Sequence, residues 1–262
     1  MEGQLARISS WVEHLVKARG RHGVHSPFIY ALVNDVLRVD EEQPGQAAIE
    51  RLREDLLVSD QVIRVNDLGA GSRLLDDPVR QVSDMARTSL KPARQAQMLF
   101  RLARYFAPRT VLELGTSFGL STLYLARGAE DAQVTTIEGC PQTYRIAKHH
   151  FERLRQRNIN AVLGSFRSSL PFVVRTAEKL DMVFLDGHHA KEPTLEYFEL
   201  CLQKAHNDSV FILDDIHWSK GMEAAWDAVK KHPRVTVTVD LYDLGLVFFR
   251  QEQAPQHFRL RY

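Results

Sequence analysis

The run from Val111 to Ala126 (VLELGTSFGLSTLYLA) leaves little choice of fold, because an apolar strand feeds through a glycine-bracketed turn straight into a helix. Gly115 and Gly119 let the backbone turn sharply and come close to a ligand. The helix that follows points its free N–H groups and the positive end of its dipole at the same place. A second strand, Gln133 to Glu138 (QVTTIE), then ends on a carboxylate. That acid falls about 20 residues further on, where doubly wound folds place the group that grips ribose hydroxyls.

From Lys91 onward, helical and strand patterns alternate with short punctuated links, the signature of a parallel sheet covered by helices on both faces. Helices are expected over Pro92–Phe106, Leu120–Arg127, Gln142–Gln156, within Ser168–Glu178, over Glu192–Gln203 and over Lys220–Lys231. Strands are expected at Thr110–Leu114, Val134–Ile137, Ile159–Leu163, Met182–Leu185 and Val210–Leu213. Val235–Val239 and Leu246–Phe249, on either side of an Asp243/Gly245 turn, read as a closing hairpin. Residues 1–90 have another character: amphipathic patterns at Leu5–Ala18, Pro27–Leu37 and Ala47–Val58 read as a mainly helical N-terminal cap, and residues 91–262 as the main domain. Val65 to Ser72 repeats the strand and glycine turn superficially, but Asp76, Asp77 and Pro78 interrupt the helix that should follow, so a hairpin or turn is expected there.

The 262 residues, 44% hydrophobic, suffice for a full core. Thirty-four basic against thirty-three acidic residues give no bulk field to recruit nucleic acid or an anionic membrane. Cys140 and Cys201 lack the spacing of a disulfide framework or a zinc knuckle. The N-terminus lacks the apolar core of a signal peptide and no stretch approaches the roughly 18 apolar residues of a membrane helix, so a soluble cytoplasmic protein is expected.

With this alternation and terminal hairpin, the chain resembles the class I S-adenosylmethionine-dependent methyltransferases over roughly residues 91 to 250. The motifs VLELGTSFGLST from Val111, TIEGCP from Thr136, GSFR from Gly164, DMVFLD from Asp181 and ILDD from Ile212 resemble, more narrowly, the catechol O-methyltransferase-like small-molecule O-methyltransferases. The resemblance implies a Rossmann-like, mostly parallel seven-stranded α/β sheet ending in an antiparallel hairpin. It also implies S-adenosylmethionine as cofactor: its methionine moiety against Glu113, Gly115, Thr116, Ser117 and Gly119, with Ser121 near its carboxylate. Glu138, beside Gly139, would take both ribose hydroxyls, Gly164, Ser165 and Phe166 would surround the adenine, and Asp186 would close the pocket.

Methyl transfer from a sulfonium asks the protein mainly to align the nucleophile and remove its proton. Asp186 ends one strand and Asp214 and Asp215 end the next, so three carboxylates converge at one sheet edge. By resemblance they form a site for Mg2+ or another divalent cation that binds a substrate hydroxyl and lowers its pKa. Asp215 stands where the relatives have asparagine, and His217 nearby would suit a softer metal. Without a metal, at least one of the three carboxyls should be protonated. His189, in Asp186-Gly-His-His189, occupies the place of the catechol enzymes' lysine base and has the ordinary pKa for proton removal near neutrality; Lys191 is its understudy. His217, Trp218 and, in the cap, His25 are candidates to contact the acceptor.

The partner implied is a small-molecule acceptor, with no nucleic acid and no membrane, and a homodimer is left open. Carboxyl or nitrogen methylation uses the same cofactor motifs. Gly115-Thr-Ser-Phe-Gly119 also fits the G-x-S-x-G nucleophile elbow, with Ser117 as nucleophile and Asp186 or Asp214 and His217 in the right order, but a serine hydrolase needs no Glu138. The G-x-G-x-x-G spacing of nicotinamide enzymes is missing. A non-catalytic cofactor-binding module stays open, because a fold does not prove activity.

Overall fold

The computed structural model describes residues 2–18, 20, 25–38, 45–65 and 78–261. In chain order, α1 (Glu2–Lys17) and α2 (Pro27–Leu32) lead through a π-helical stretch, Val33–Leu37, to α3 (Gln46–Leu57), β1 (Val62–Arg64), β2 (Val79–Gln81), α4 (Val82–Ser89) and α5 (Ala93–Phe106). The alternating part follows: β3 (Thr110–Leu114), α6 (Leu120–Gly128), β4 (Gln133–Glu138), α7 (Pro141–Arg153), β5 (Ile159–Leu163), α8 (Phe166–Thr176), β6 (Met182–Leu185), α9 (Lys191–Leu202), β7 (Val210–Asp214) and α10 (Lys220–Lys230). Strands β8 (Val237–Asp240), β9 (Leu244–Phe248) and β10 (Gln256–Arg259) close the chain.

Local chemistry sets these boundaries. Ser26 caps α2 by accepting from the Ile29 N–H, with Pro27 at the first helical position. Pro141 opens α7 the same way, and Ser219 caps α10 through the Met222 N–H at 3.2 Å. Strands β6 to β9 are buried on both faces, as the apolar runs of β6 and β7 require, whereas β5 and β10 are partly exposed.

The chain forms a mixed sheet of eight strands with helices on both sides. This is the doubly wound α/β architecture expected, with one strand more than the seven read from the sequence. The addition is β10, which pairs parallel to β8. Its short run, QHFR, alternates too little to announce a strand.

Two compact units divide the chain. The first, Asp40–Thr176, carries three parallel strands in the order β3-β4-β5, with Leu114 opposite Ile137 and Glu138 opposite Leu163. Its core joins α3 and α4 (Ile49, Leu52, Leu56, Met85) to α5, α6 and α7 (Phe100, Leu123, Phe151) and to Phe118 and Leu120 of the glycine turn. Residues 46–89 therefore pack into the same core as that turn. The antiparallel pair β1/β2 flanks the Val65–Ser72 segment, of which residues 66–72 lie outside the described residues.

The second unit, Met1–Val39 with Ala177–Tyr262, carries five strands in the order β10-β8-β9-β7-β6. Here β9 runs antiparallel between β7 and β8, so β7 and β8 point the same way. Asp214 pairs with Leu244 and Asp240 with Gly245, which puts both aspartates at one edge of the sheet. The edge-to-face contact of Phe28 with Phe248, ring centroids 5.0 Å apart, and Arg250 over the Phe28 ring belong to the same unit.

Candidate active site

The glycine turn is built as its sequence requires. Gly115 and Gly119 both sit at positive φ, +101° and +83°, and Gly119 caps α6 in the left-handed region. A Cβ added to Gly119 would lie 2.6 Å from the Phe151 ring and 3.1 Å from the Ala147 methyl. Gly119→Ala is therefore expected to cost about 2–4 kcal/mol, from left-handed strain plus overpacking, measured as a lowered midpoint in urea unfolding. Ser117 also holds positive φ, 49°, a conformation that costs a non-glycine residue energy and occurs preferentially at functional sites.

Glu138 organises this turn. Its Oε2 accepts from the Ser117 N–H at 2.7 Å and its Oε1 from the Cys140 N–H at 2.8 Å, with the Gly139 N–H adding to the set. Burial pushes the carboxyl above its ordinary pKa, while these bonds pull it back. Beneath, Glu113 is fully buried and accepts from Thr122 and from Thr136, the latter at 2.7 Å, and Thr136 meets Thr116 at 2.6 Å. Glu113 and Thr116 thus brace the strand end. Ser121 is half-buried on the first turn of α6. Gly164 donates to the Glu138 carbonyl at 2.9 Å, and Ser165 caps α8 through the Ser168 N–H, with Phe166 as the helix's first residue.

One supporting residue was not legible in advance. His150, on α7, bonds through Nδ1 to the Phe118 carbonyl at 2.9 Å and so holds the turn. Burial lowers its pKa, so the folded unit keeps it neutral while the unfolded chain protonates near 6.5. Stability from this group is full above that value and is lost as pH falls toward the folded pKa. The wild-type melting temperature is expected to fall more steeply between about pH 7 and 5 than that of His150→Gln, read by differential scanning calorimetry.

In the second unit, Leu185 pairs with Leu213, so Asp186 and Asp214 leave adjacent strands side by side. Asp214 is only 4% exposed. Ligand atoms of Asp186, His189 and Asp214 all lie within 4.8 Å of one another, so two carboxylates suited to a divalent ion stand together with one imidazole beside them. Asp215 is not one of these three. Its carboxylate faces His189 Nδ1 at 3.5 Å, while His189 Nε2 lies 3.7 Å from Asp186. His188, His189 and Asp215 all hold positive φ, 66°, 32° and 53°, a concentration of backbone strain at these two strand ends.

The other candidates are placed less directly. His188 bonds the Tyr197 hydroxyl at 2.9 Å, and Lys191 is exposed at the first position of α9. Trp218 is half-buried in the turn after β7, its N–H donating to the Asp215 carbonyl, and His25 is exposed just before the α2 cap. His217 turns to Asp240 and Glu223, at 3.0 and 3.3 Å. Among the described residues no histidine hydrogen-bonds the Ser117 hydroxyl, so the nucleophile elbow has no base. A surface depression of about 370 Å3 along α7 and β5 includes none of these residues.

Residues 112–216 match the family model of a methyltransferase domain. The chain is 26% identical over 189 residues to the catechol O-methyltransferase of Mycobacterium tuberculosis, covering 71% of this chain and 80% of that one. The protein carries a class I S-adenosylmethionine-dependent methyltransferase domain. A catechol O-methyltransferase of Niastella koreensis is 28% identical over 50% of this chain and 60% of its own length. In fold, the methyltransferase resembles the O-methyltransferase from Bacillus cereus solved in complex with SAH, with a TM-score of 0.58 at 19% identity over 83% of this chain and 94% of that one. No helix among the described residues is long and apolar enough to cross a membrane.

Proposed function

We propose that this methyltransferase methylates a hydroxyl oxygen of a small-molecule acceptor with the help of a divalent ion. The observation that carries the reading is the trio Asp186, His189 and Asp214, whose ligand atoms lie within 4.8 Å of one another at the ends of two neighbouring strands. Likeness to the catechol enzymes favours oxygen over nitrogen or carboxyl acceptors.

The cofactor-binding role falls to the Gly115–Gly119 turn and Glu138, and the acceptor role to the acid group. Glu138 accepts the ribose hydroxyls as charge-assisted bonds, and the N-terminus of α6 receives the cofactor's carboxylate. S-adenosylmethionine, when bound, supplies an electrophilic methyl group, and a divalent ion on Asp186 and Asp214 supplies positive charge that lowers the acceptor's pKa. His189 takes the hydroxyl proton at Nε2, and Asp215 orients the ring from the Nδ1 side. Lys191 and the second histidine, His188, take no part in this assignment. Trp218 and His25 remain the proposed acceptor contacts.

The test is transfer of labelled methyl from S-adenosylmethionine to a panel of catechols, simple phenols, carboxylic acids and amines, with and without Mg2+. The expected result is product from the hydroxyl acceptors, suppressed by chelator and restored by Mg2+, and lowered about 10²–10⁴-fold in His189→Gln. Product from acids or amines alone, indifferent to chelator, would sink the proposal.

A further inference from the structure

Outside the acid group, one cluster of side chains among the described residues has the composition and the wiring of a metal centre. His14 of α1, His217 of the turn after β7 and Asp240 at the end of β8 bring their ligand atoms within 4.8 Å of one another, all inside one compact unit. His14 and Asp240 are 4% and 5% exposed at the side chain and His217 11%. From these residues we infer a second divalent-cation site, of the imidazole-rich kind that takes zinc.

The distances agree with a common ion rather than with ordinary hydrogen bonding alone. His217 Nε2 lies 3.0 Å from Asp240 Oδ2 and His14 Nδ1 lies 3.3 Å from Asp240 Oδ1. Ligands at zinc's bond lengths of about 2.0–2.1 Å in tetrahedral array stand about 3.3 Å apart. Yet His14 Nδ1, buried and this close to a carboxylate, has no well-directed hydrogen-bond partner. A buried ring nitrogen left so is costly, and an ion between the two groups satisfies it.

The far side of each imidazole is also committed in the way metal ligands require. His14 Nε2 faces the Leu260 carbonyl at 3.2 Å, and His217 Nδ1 faces Glu223 at 3.3 Å, itself held by the Ser10 hydroxyl at 3.2 Å. When the outer nitrogen of each ring carries the proton, the lone pairs of His14 Nδ1 and His217 Nε2 point inward, toward Asp240. Tyr242 covers both rings: it stacks on His217 with centroids 5.1 Å apart and meets His14 edge-on at 5.4 Å. Its φ of 73° is strained, and its N–H secures Asp240 Oδ1 at 3.0 Å. Arg259 lies 3.7 Å from Asp240 Oδ2, and Asp240 with Glu223 outweighs its charge. Two imidazoles and one carboxylate select zinc or a neighbouring transition ion over magnesium. The ion pins α1 to the ends of β7 and β8, and its donors are separate from Asp186, His189 and Asp214.

The full-length protein, freed of metal by chelator and then titrated with Zn2+ alone, tests this. Expected is one tightly retained zinc per chain, kept in Asp214→Asn, weakened about 10–100-fold in Glu223→Gln and by more than about 100-fold in His14→Gln. X-ray absorption of the zinc-loaded wild type should count two imidazole ligands, a reading that stands even if His14→Gln fails to fold. Zinc lost in Asp214→Asn but kept in His14→Gln, a count of one imidazole, or no retained zinc would each overturn the assignment.

Discussion

Asp214→Asn is expected to lower methyl transfer to a hydroxyl acceptor by about 10²–10³-fold while leaving cofactor affinity unchanged. The side chain ends β7, is almost fully buried and stands beside Asp186. The neutral amide keeps the shape and removes one of the two charges proposed to hold the ion. Loss of one well-placed electrostatic contribution in a water-poor site costs about 3–4 kcal/mol of transition-state stabilisation, which sets the size of the effect. Glu138 is held by Ser117, Cys140, Gly139 and Thr143 and does not depend on Asp214. Turnover and cofactor binding should therefore separate: kcat collapses in the variant, and S-adenosylmethionine titrates as in the wild type. Full turnover in Asp214→Asn, equally insensitive to chelator, would remove the metal from the mechanism.

Much of the fold was legible because its signals are local. Gly115 and Gly119 announce positive φ, Pro141 and Ser219 announce helix starts, and the apolar runs of β6 and β7 announce strands buried on both faces. The register that sets Asp186 beside Asp214 follows from two such strands lying parallel. What escaped is what depends on tertiary partners. Strand β10 gains its identity only from pairing with β8. The helices of residues 46–89 show apolar faces but not what those faces meet; Ile49, Leu52 and Leu56 share a core with Phe118, so deleting residues 1–88 removes part of the support of the glycine turn.

The same limit governs the site. Asp186, Asp214 and Asp215 read as one carboxylate group from their strand ends, but Asp215, next in sequence to Asp214, turns through positive φ to meet His189 instead of the other two carboxylates. His217, read as an acceptor contact, meets Asp240 and His14, residues 23 positions after it and over two hundred before it. No spacing rule joins positions so far apart. His150 was hidden for the same reason, since its hydrogen bond to Phe118 spans two helices and a strand.

Glu138→Ala carries the second large effect. Hydrogen bonds to a charged group contribute about 1.5–3 kcal/mol each, and the carboxylate both meets the proposed ribose hydroxyls and fixes the Ser117 and Cys140 N–H groups. Two such bonds amount to a loss of about 100-fold in affinity or more, at about 1.4 kcal/mol per tenfold. Because burial raises the Glu138 pKa, the wild-type affinity should also fall on acidification through that raised value, and the alanine variant should not share the dependence. The most direct test of the cofactor assignment is calorimetric titration of the intact protein and Glu138→Ala with S-adenosylmethionine. Saturable binding at one site, weakened about 100-fold or more in the variant, is the predicted result; no binding by the intact protein, or equal binding by both, would contradict it.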